Sequence, residues 1–220
     1  MSNQSFKVIS VEGNIGVGKS TLLPKLAEEL ALQTGENWLY VEEEVDTNLE
    51  FQAHLKAFTD NPQANRVAFQ NFMTDLRHNI GKNLTAGANY ILERSLLSDL
   101  VFSMANIDCD SEDNSHITRI EEALNDYCKI DTVIHLQADP RVCYERMLGR
   151  GRTQEQGTPA EYIEHLENVH RDVLPKYATQ YNAPLLNLEY TRFMPVQKIA
   201  QEVLANLDNS TYTQPIRQVA

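Results

Sequence analysis

The chain has 220 residues, of which 42% are hydrophobic and 23% are charged, so it can bury one core of ordinary size and is neither disordered nor collagen-like. Its 31 acidic residues outnumber its 19 basic residues, and the resulting net charge of -12 disfavours broad nucleic-acid binding. No apolar run approaches the ~20 residues of a membrane span, and the polar start lacks a signal-peptide pattern, so we expect a cytoplasmic protein with no membrane partner.

Short strand-like segments alternate with longer helical patterns along the chain. Strands are predicted over residues 6–11, 38–41, 90–92, 132–137 and 184–188. Helices are predicted over residues 19–32, 65–84, 97–105, 117–127, 140–148, 159–178 and 195–207. This alternation favours an α/β fold with a five-stranded parallel sheet flanked by helices. Residues 108–113 are expected to form an acidic surface loop. We expect one domain over residues 1–208 and a poorly ordered polar tail over residues 209–220.

The first predicted strand leads into a phosphate-binding loop. The pattern G-x-x-x-x-G-K-[ST] is matched by Gly13, Asn14, Ile15, Gly16, Val17, Gly18, Lys19, Ser20 and Thr21. Glycines let the backbone wrap a phosphate, while the amides and the helix N-terminus supply partial positive charge. Lys19 is expected to bridge the outer phosphates of an NTP, and Ser20 to bind Mg²⁺. Pro24 should disturb the following helix, because it removes a backbone donor.

Carboxylates follow the next two predicted strands. The second strand ends in Glu42, Glu43 and Glu44, and the third ends in Glu93 and Arg94. Because parallel sheets bind ligands at the carboxyl ends of their strands, Glu93 is a candidate for holding Mg²⁺ through water. One of the three earlier glutamates is a candidate general base. The alternatives are a charged surface loop for the three glutamates and a solvated ion pair for Glu93 and Arg94.

Arginines collect late in this acidic chain. Arg146, Arg150 and Arg152 are followed by Glu155 in a segment that contains two glycines. This pattern indicates a mobile lid that closes cations over a transferring phosphate and excludes water. The alternative is a basic helix C-terminus that complements the helix dipole.

Four blocks of sequence together resemble the deoxynucleoside kinase family, in the branch that contains deoxycytidine kinase and deoxyguanosine kinase. The blocks are Glu12-Gly13-Asn14-Ile15; Phe69-Gln70 with Arg77; Glu93-Arg94-Ser95-Leu96-Leu97-Ser98-Asp99; and Arg150-Gly151-Arg152 through Glu155-Gln156-Gly157 with Pro159, Glu161 and Tyr162. The resemblance covers about residues 6–205. It implies a three-layer P-loop kinase fold with an arginine-rich lid, a homodimer and a role in nucleotide salvage. The implied reaction transfers the γ-phosphoryl of ATP or another NTP, with Mg²⁺, to the 5′-hydroxyl of a deoxynucleoside.

The resemblance also implies roles for individual residues around the reacting groups. It selects Glu43 as the base that takes the 5′-hydroxyl proton, with Glu42 and Glu44 as the fallback choices. Lys19 and Arg94 lie beside the reacting phosphate, and the lid arginines are Arg146, Arg150 and Arg152. Prolines flank the base in the family, where this chain has glutamates.

The rest of the implied nucleoside pocket recognises the base and the sugar. Gln70 matches a reader of the nucleobase edge. Arg77 and Asp99 match a polar pair that directs the substrate towards deoxyadenosine, deoxyguanosine or deoxycytidine rather than thymidine. Glu155 matches the carboxylate that binds the sugar 3′-hydroxyl, whose tyrosine partner in the family is replaced here by Thr59 beside Phe58. Residues expected to line or stack on the base are Phe69, Phe72, Met73 and Phe102.

Two other functions are compatible with a phosphate-binding loop. A nucleoside monophosphate kinase would need cations for the phosphate of its acceptor, and near Gln70 the sequence offers only Arg77 and Arg94. A P-loop switch without catalysis would need neither a general base nor a lid with three arginines.

Overall fold

Residues 5–106 and 115–210 are described by the computed structural model of the chain. Five strands form one sheet in the order β2-β3-β1-β4-β5, and every neighbouring pair is parallel. The strands are β1 (Val8–Gly13), β2 (Trp38–Val41), β3 (Asn89–Glu93), β4 (Thr132–Gln137) and β5 (Leu185–Glu189). The predicted five-stranded parallel sheet is therefore confirmed.

Helices connect the strands and cover both faces of the sheet. They are α1 (Lys19–Thr34), α2 (Leu49–Asp60), α3 (Pro62–Lys82), α4 (Leu96–Ala105), α5 (Ser115–Leu124), α6 (Pro140–Arg150), α7 (Ala160–Gln180) and α8 (Val196–Ser210), with a 3-10 helix at Thr153–Glu155. One buried cluster joins the sheet to α1 and α8 through residues such as Leu26 and Ile199. A second cluster joins it to α4 and α7 through residues such as Leu100 and Leu166. The predicted three-layer arrangement is confirmed.

The strand register brings three strand ends together. Val11 of β1 pairs with Glu93 of β3, and Leu92 of β3 pairs with Val41 of β2. Because these strands are parallel, the phosphate loop after β1, the glutamates after β2 and the end of β3 share one edge of the sheet. The fold thus places the candidate residues of three separate segments beside one another.

Helix α2 is absent from the predicted elements. Only Phe51 among its residues is buried, so the helix shows no wide apolar face along the sequence. Its start is fixed locally, because the side-chain oxygen of Asn48 accepts hydrogen bonds from the N–H groups of Glu50 (3.1 Å) and Phe51 (3.0 Å). The next helix, α3, begins at Pro62, three residues before the predicted start, since proline suits the first helical position.

The prediction that Pro24 disturbs its helix is wrong. Helix α1 continues through Pro24 to Thr34. A proline in a helix interior costs about 3 kcal/mol. Around it Leu22, Leu23 and Leu26 are buried, and each such side chain contributes ~1.5–3 kcal/mol. Packing of the apolar face therefore outweighs the missing backbone hydrogen bond.

Two predicted segments lie partly or wholly outside the residues that the structure describes. The acidic segment 108–113 lies within residues 107–114, outside the described residues, and so do residues 211–220 of the tail. Helix α8 extends to Ser210, and the division of the chain at residue 208 stays a prediction. Within the two described ranges, no helix is both long and apolar enough to cross a membrane.

Candidate active site

The phosphate-binding loop joins the end of β1 to the start of α1. Gly16 has a φ of 75° and Gly18 a φ of 112°, in the left-handed region that favours glycine. A Cβ added to Gly16 would also overlap the main-chain oxygen of Cys143 in α6. The Nζ of Lys19 donates hydrogen bonds to the main-chain oxygens of Gly13 (2.9 Å) and Asn14 (3.0 Å). Burial, followed by the charge of Arg94, lowers the pKa of Lys19 to about 7.

The side chains of two predicted phosphate-binding residues are used by the fold itself. The amide nitrogen of Asn14 donates to the main-chain oxygen of Ile163 at 2.8 Å and to Glu167 at 3.4 Å, both in α7. Val17 is completely buried in the core beneath α1. The contribution of Asn14 and Val17 to a phosphate site is therefore left to their backbone N–H groups.

Glu43 lies between two arginines. One of its carboxylate oxygens accepts from the guanidinium of Arg77 and the other from that of Arg94. Burial acts to raise the pKa of Glu43, but Arg94 and then Arg77 outweigh burial and hold this pKa at about 2. Glu42 and Glu44, the fallback candidates, are exposed. Of the three glutamates, Glu43 is the one that the fold encloses among cations.

The backbone of Arg94 is unusual for a non-glycine residue, since its φ is 70°. Such a conformation costs of order 1–3 kcal/mol and persists where the surroundings hold it. Its N–H donates to the oxygen of Val11 at 3.1 Å, and its guanidinium lies 5.0 Å from the centre of the Phe102 ring. The strained turn after β3 thus aims Arg94 back towards the phosphate-binding loop and Glu43.

Arg77 contacts a second, fully buried carboxylate in addition to Glu43. Asp99 of α4 accepts a hydrogen bond from Arg77 through Oδ1, while its Oδ2 has no hydrogen-bond partner among the described residues. Gln70 and Met73, one helical turn apart on α3, are buried beside it. This end of the site therefore offers an unused acceptor and a side-chain amide next to apolar surface.

Aromatic side chains enclose that end of the site. Phe58 of α2 stacks on Phe69 of α3, with ring centres 5.0 Å apart and planes at 16°. Phe69 and Phe102 line the same cavity as Lys19 and Glu43, which we call the main cavity. The predicted stacking residue Phe72 packs on His54 instead and does not line this cavity. The helix turn that carries Phe72 points it to the α2 side.

The lid segment, residues 150–157, has regular secondary structure over part of its length. It starts at the last residue of α6 and includes the 3-10 helix. Arg150 and Arg152 pair with Glu155, and Arg152 also reaches Asp46 at 2.6 Å, after β2. These ion pairs hold the segment across the cavity mouth.

Arg146 differs from the two lid arginines because it is bound to main-chain oxygens. Its guanidinium donates to Val17 and Thr191 at 2.9 Å each, and lies 4.5 Å from the centre of the Phe193 ring. Arg146 therefore links the phosphate-binding loop to the segment after β5.

Oxygen ligands for a divalent cation lie beside the phosphate-binding loop. Ser20 and Glu93 line the same cavity beside the phosphate-binding loop. Within residues 5–106 and 115–210 no three or more His, Cys, Asp and Glu side chains form a cluster suited to a metal. The two oxygen donors Ser20 and Glu93 fit Mg²⁺, which commonly uses one or two protein ligands together with the phosphates of its nucleotide.

One cavity of about 420 Å³ connects these features. The predicted residues that line it are Ile15, Gly16, Gly18, Lys19, Ser20, Thr21, Glu43, Phe69, Gln70, Met73, Arg77, Glu93, Arg94, Asp99, Phe102, Arg146, Arg150, Arg152 and Glu155. Thr59 and Phe58, where the family pattern is broken, line it as well. The phosphate-binding end and the aromatic end are thus continuous, with Glu43 between them.

Some lining residues were not among the predicted site residues. The hydroxyl of Tyr162 in α7 donates to Asn106 at 3.0 Å, and both line the cavity, as do Val45, Leu55 and Phe193. Tyr162 stands in the fourth sequence block, where its position three residues after Pro159 could have marked it. Leu55 had no signal, because the helix that carries it was not predicted.

Comparison with known proteins finds relatives that match most of the chain. The family model described as deoxynucleoside kinase matches residues 9–211. Deoxyadenosine kinase of Dictyostelium discoideum is 24% identical over 213 residues, covering 94% of this chain and 82% of that protein. Deoxycytidine kinase of Homo sapiens is 28% identical over 216 residues, covering 83% of each. The resemblance drawn from the four sequence blocks is confirmed.

Solved structures show the same fold. The structure of deoxyadenosine kinase from M. mycoides with bound dATP has a TM-score of 0.65 at 23% identity, covering 91% of this chain and 99% of that one. The same enzyme with the products dCMP and a flexible dCDP has a TM-score of 0.67 at 22% identity, covering 92% and 98%. The predicted P-loop kinase architecture is confirmed.

Proposed function

The chain belongs to the deoxynucleoside kinase family, whose members are ATP-dependent phosphotransferases, and on that premise we propose its reaction. It transfers the γ-phosphoryl of ATP or another NTP to the 5′-hydroxyl of deoxyadenosine, deoxyguanosine or deoxycytidine, rather than thymidine. The products are the deoxynucleoside monophosphate and NDP, as in nucleotide salvage. A dependence on Mg²⁺, a homodimer and a cytoplasmic location are parts of the same proposal.

The position of Glu43 carries this proposal. It lies in the cavity that joins the phosphate-binding loop to the aromatic end, and Arg94 connects it to the loop through a hydrogen bond to the oxygen of Gly13 at 3.4 Å. An uncharged sugar in the aromatic end would place its primary alcohol beside this carboxylate and opposite the loop. Phosphoryl transfer depends on such alignment more than on covalent chemistry by the protein.

The charge state of Glu43 suits a hydrogen-bond acceptor for that alcohol. A pKa of about 2 keeps the carboxylate ionised at physiological pH. Each carboxylate oxygen has a second lone pair beyond the one used by its arginine. The 5′-oxygen attacks the γ-phosphorus, the bond to the bridging oxygen breaks, NDP leaves and Glu43 takes the proton as the new bond forms. Mg²⁺, when bound, neutralises charge on the phosphates, and Ser20 and Glu93 are the residues that would hold it.

The polar groups at the aromatic end support a base that carries an amino group. Asp99 has an unused oxygen in a fully buried position, and a buried acceptor without a donor costs ~1–3 kcal/mol. Adenine and cytosine carry an exocyclic amino group where thymine carries a carbonyl, and guanine carries one at C2, whereas thymine has none. Asp99 and the amide of Gln70 therefore favour adenine, cytosine and guanine.

A nucleoside monophosphate kinase is not favoured by this geometry. Its acceptor phosphate would need free cations near Gln70. Arg77 and Arg94 both already pair with Glu43. Arg66, one helical turn from Gln70 on α3, donates to the main-chain oxygen of Asn106 at 2.9 Å.

The experiment is a substrate panel. Four deoxynucleosides and their four monophosphates are incubated separately with ATP and Mg²⁺, and the products are separated by chromatography. We expect monophosphate from deoxyadenosine, deoxyguanosine or deoxycytidine and much less from thymidine. Product from the monophosphates alone, or a preference for thymidine, would contradict the proposal.

A further inference from the structure

A second cavity opens beside the phosphate-binding loop. We call it the side chamber; it has a volume of about 270 Å³ and is lined by Ser20, Tyr40, Glu93, Arg152 and residues 42–47 after β2. Five residues line both the side chamber and the main cavity: Ser20, Glu43, Val45, Glu93 and Arg152. Ser20 and Glu93 therefore stand at the junction of the two. Tyr40 lines the side chamber alone and belongs to none of the four sequence blocks.

The hydroxyl of Tyr40 donates a hydrogen bond to Oε2 of Glu93. The strand register explains the contact. Tyr40 of β2 pairs with Ile91 of β3, and Glu93 lies two residues further along on the same face, within diagonal reach of a long aromatic side chain. The ring packs against the buried cluster under α1, which restricts its orientation.

The hydrogen bond engages one oxygen of Glu93 and leaves the other open. Within the described residues, Tyr40 is the hydrogen-bond partner of this carboxylate and Oε1 has none. The charges of Lys19 and Arg94 also act on Glu93, without a hydrogen bond or ion pair. A phenol hydroxyl is protonated at neutral pH, so Tyr40 is the donor of this bond and the carboxylate is the acceptor. Glu93 is therefore oriented by a group that does not compete for its second oxygen.

We propose that Tyr40 is a positioning residue that orients Glu93 for the divalent cation of the bound nucleotide. This inference rests on the proposed function for the presence of that cation. Groups that hydrogen-bond to a metal-binding side chain fix its orientation, and their removal commonly weakens metal binding by ~10–100-fold. We expect a loss in this range when the hydroxyl of Tyr40 is removed.

The test measures metal binding directly. Mn²⁺ replaces Mg²⁺, a non-hydrolysable ATP analogue supplies the phosphates, and free Mn²⁺ is measured by electron paramagnetic resonance. Tyr40→Phe should weaken Mn²⁺ binding by ~10-fold or more. Tyr90→Phe is the matched control, because it removes a tyrosine hydroxyl from β3 that bonds to Thr85, away from both cavities. Glu93→Asp, which withdraws the carboxylate from Tyr40, should reproduce the loss.

A double variant distinguishes a positioning role of Tyr40 from a merely structural one. If Tyr40 acts through Glu93, then Tyr40→Phe has no further effect on Mn²⁺ binding in the Glu93→Gln background. Unchanged Mn²⁺ affinity in Tyr40→Phe, or an equal loss with and without Glu93, would overturn the inference. The assay contains no deoxynucleoside, so it is independent of the acceptor. A chain that passes it yet phosphorylates no deoxynucleoside would contradict only the proposed function.

Discussion

Glu43 and Arg94 form a buried ion pair although they lie 51 positions apart in the sequence. The pair joins the segment after β2 to the turn after β3, and Arg94 adopts a left-handed backbone to make it. A buried charge without its partner is costly, so each residue fixes the other. The candidate base is thus held by the same arginine that contacts the phosphate-binding loop.

Replacing this carboxylate tests its role. Glu43→Gln should lower kcat by ~100-fold or more, because a general base contributes about that much. It should leave deoxynucleoside affinity largely unchanged, since the aromatic end is intact. Steady-state kinetics and equilibrium binding check the two effects. Glu44→Gln changes an exposed neighbour and is the control; equal losses in both variants would exclude Glu43 as the base.

The unused oxygen of Asp99 predicts an effect on base selection. Asp99→Asn replaces one acceptor with a donor, and we expect the ratios of kcat/KM among the four deoxynucleosides to change by ~10-fold, about 1.4 kcal/mol. The KM for ATP should change little, because Asp99 lies away from the loop. Asp75→Asn is the control, because Asp75 of α3 forms an exposed ion pair with Arg119 of α5. Unaltered ratios would remove Asp99 from the base-reading role.

Backbone geometry predicts which glycines are essential. Gly16→Ala should destabilise the protein by ~2 kcal/mol or more and abolish nucleotide binding, because its φ is left-handed and a Cβ would overlap Cys143. Gly149 lies in α6, and a Cβ added to it would have no atom within 4 Å. Gly149→Ala should therefore raise the free energy of unfolding by ~0.5–1 kcal/mol. Urea unfolding and nucleotide titration measure both. A stable, nucleotide-binding Gly16→Ala would refute this geometry.

Two stacked, buried histidines predict acid sensitivity. Ring centres of His135 and His170 are 5.7 Å apart, and burial lowers the pKa of His135 to about 4 and that of His170 well below its usual range. Nearby Arg171 and Lys19 also disfavour a charged His135. Below the unfolded value of about 6.5, the unfolded chain binds protons that the folded chain does not. As the pH is lowered below about 6.5, the free energy of unfolding should therefore fall by up to ~1.4 kcal/mol per pH unit for each histidine.

The pH dependence is checked by urea unfolding between about pH 7.5 and about pH 5, above the range where most carboxylates titrate. Glu167 acts in the opposite direction, because burial raises its pKa. His135→Phe keeps a ring against His170 and should remove about half of the slope, while the exposed His165→Gln should not change it. An unchanged slope in His135→Phe would mean that other groups cause the loss.

Sequence alone could predict the sheet, the phosphate-binding loop and most of the cavity, because these depend on strand runs, glycines and short motifs. It could not predict α2, whose one buried residue leaves no periodic signal. Nor could it show that Arg146 is bound to main-chain oxygens or that Phe72 packs on His54, since both depend on how distant helices pack. The hydrogen bond of Tyr40 to Glu93 needed the strand register, which no local pattern contains.

The most direct test of the proposed reaction is a crystal structure with a deoxynucleoside, Mg²⁺ and a non-hydrolysable ATP analogue bound together. We expect the base between Phe69 and Phe102 beside Gln70 and Asp99, with the 5′-oxygen at hydrogen-bond distance from Glu43 and in line with the γ-phosphorus. A deoxynucleoside bound outside this cavity, or with its 5′-oxygen turned away from Glu43, would contradict the account.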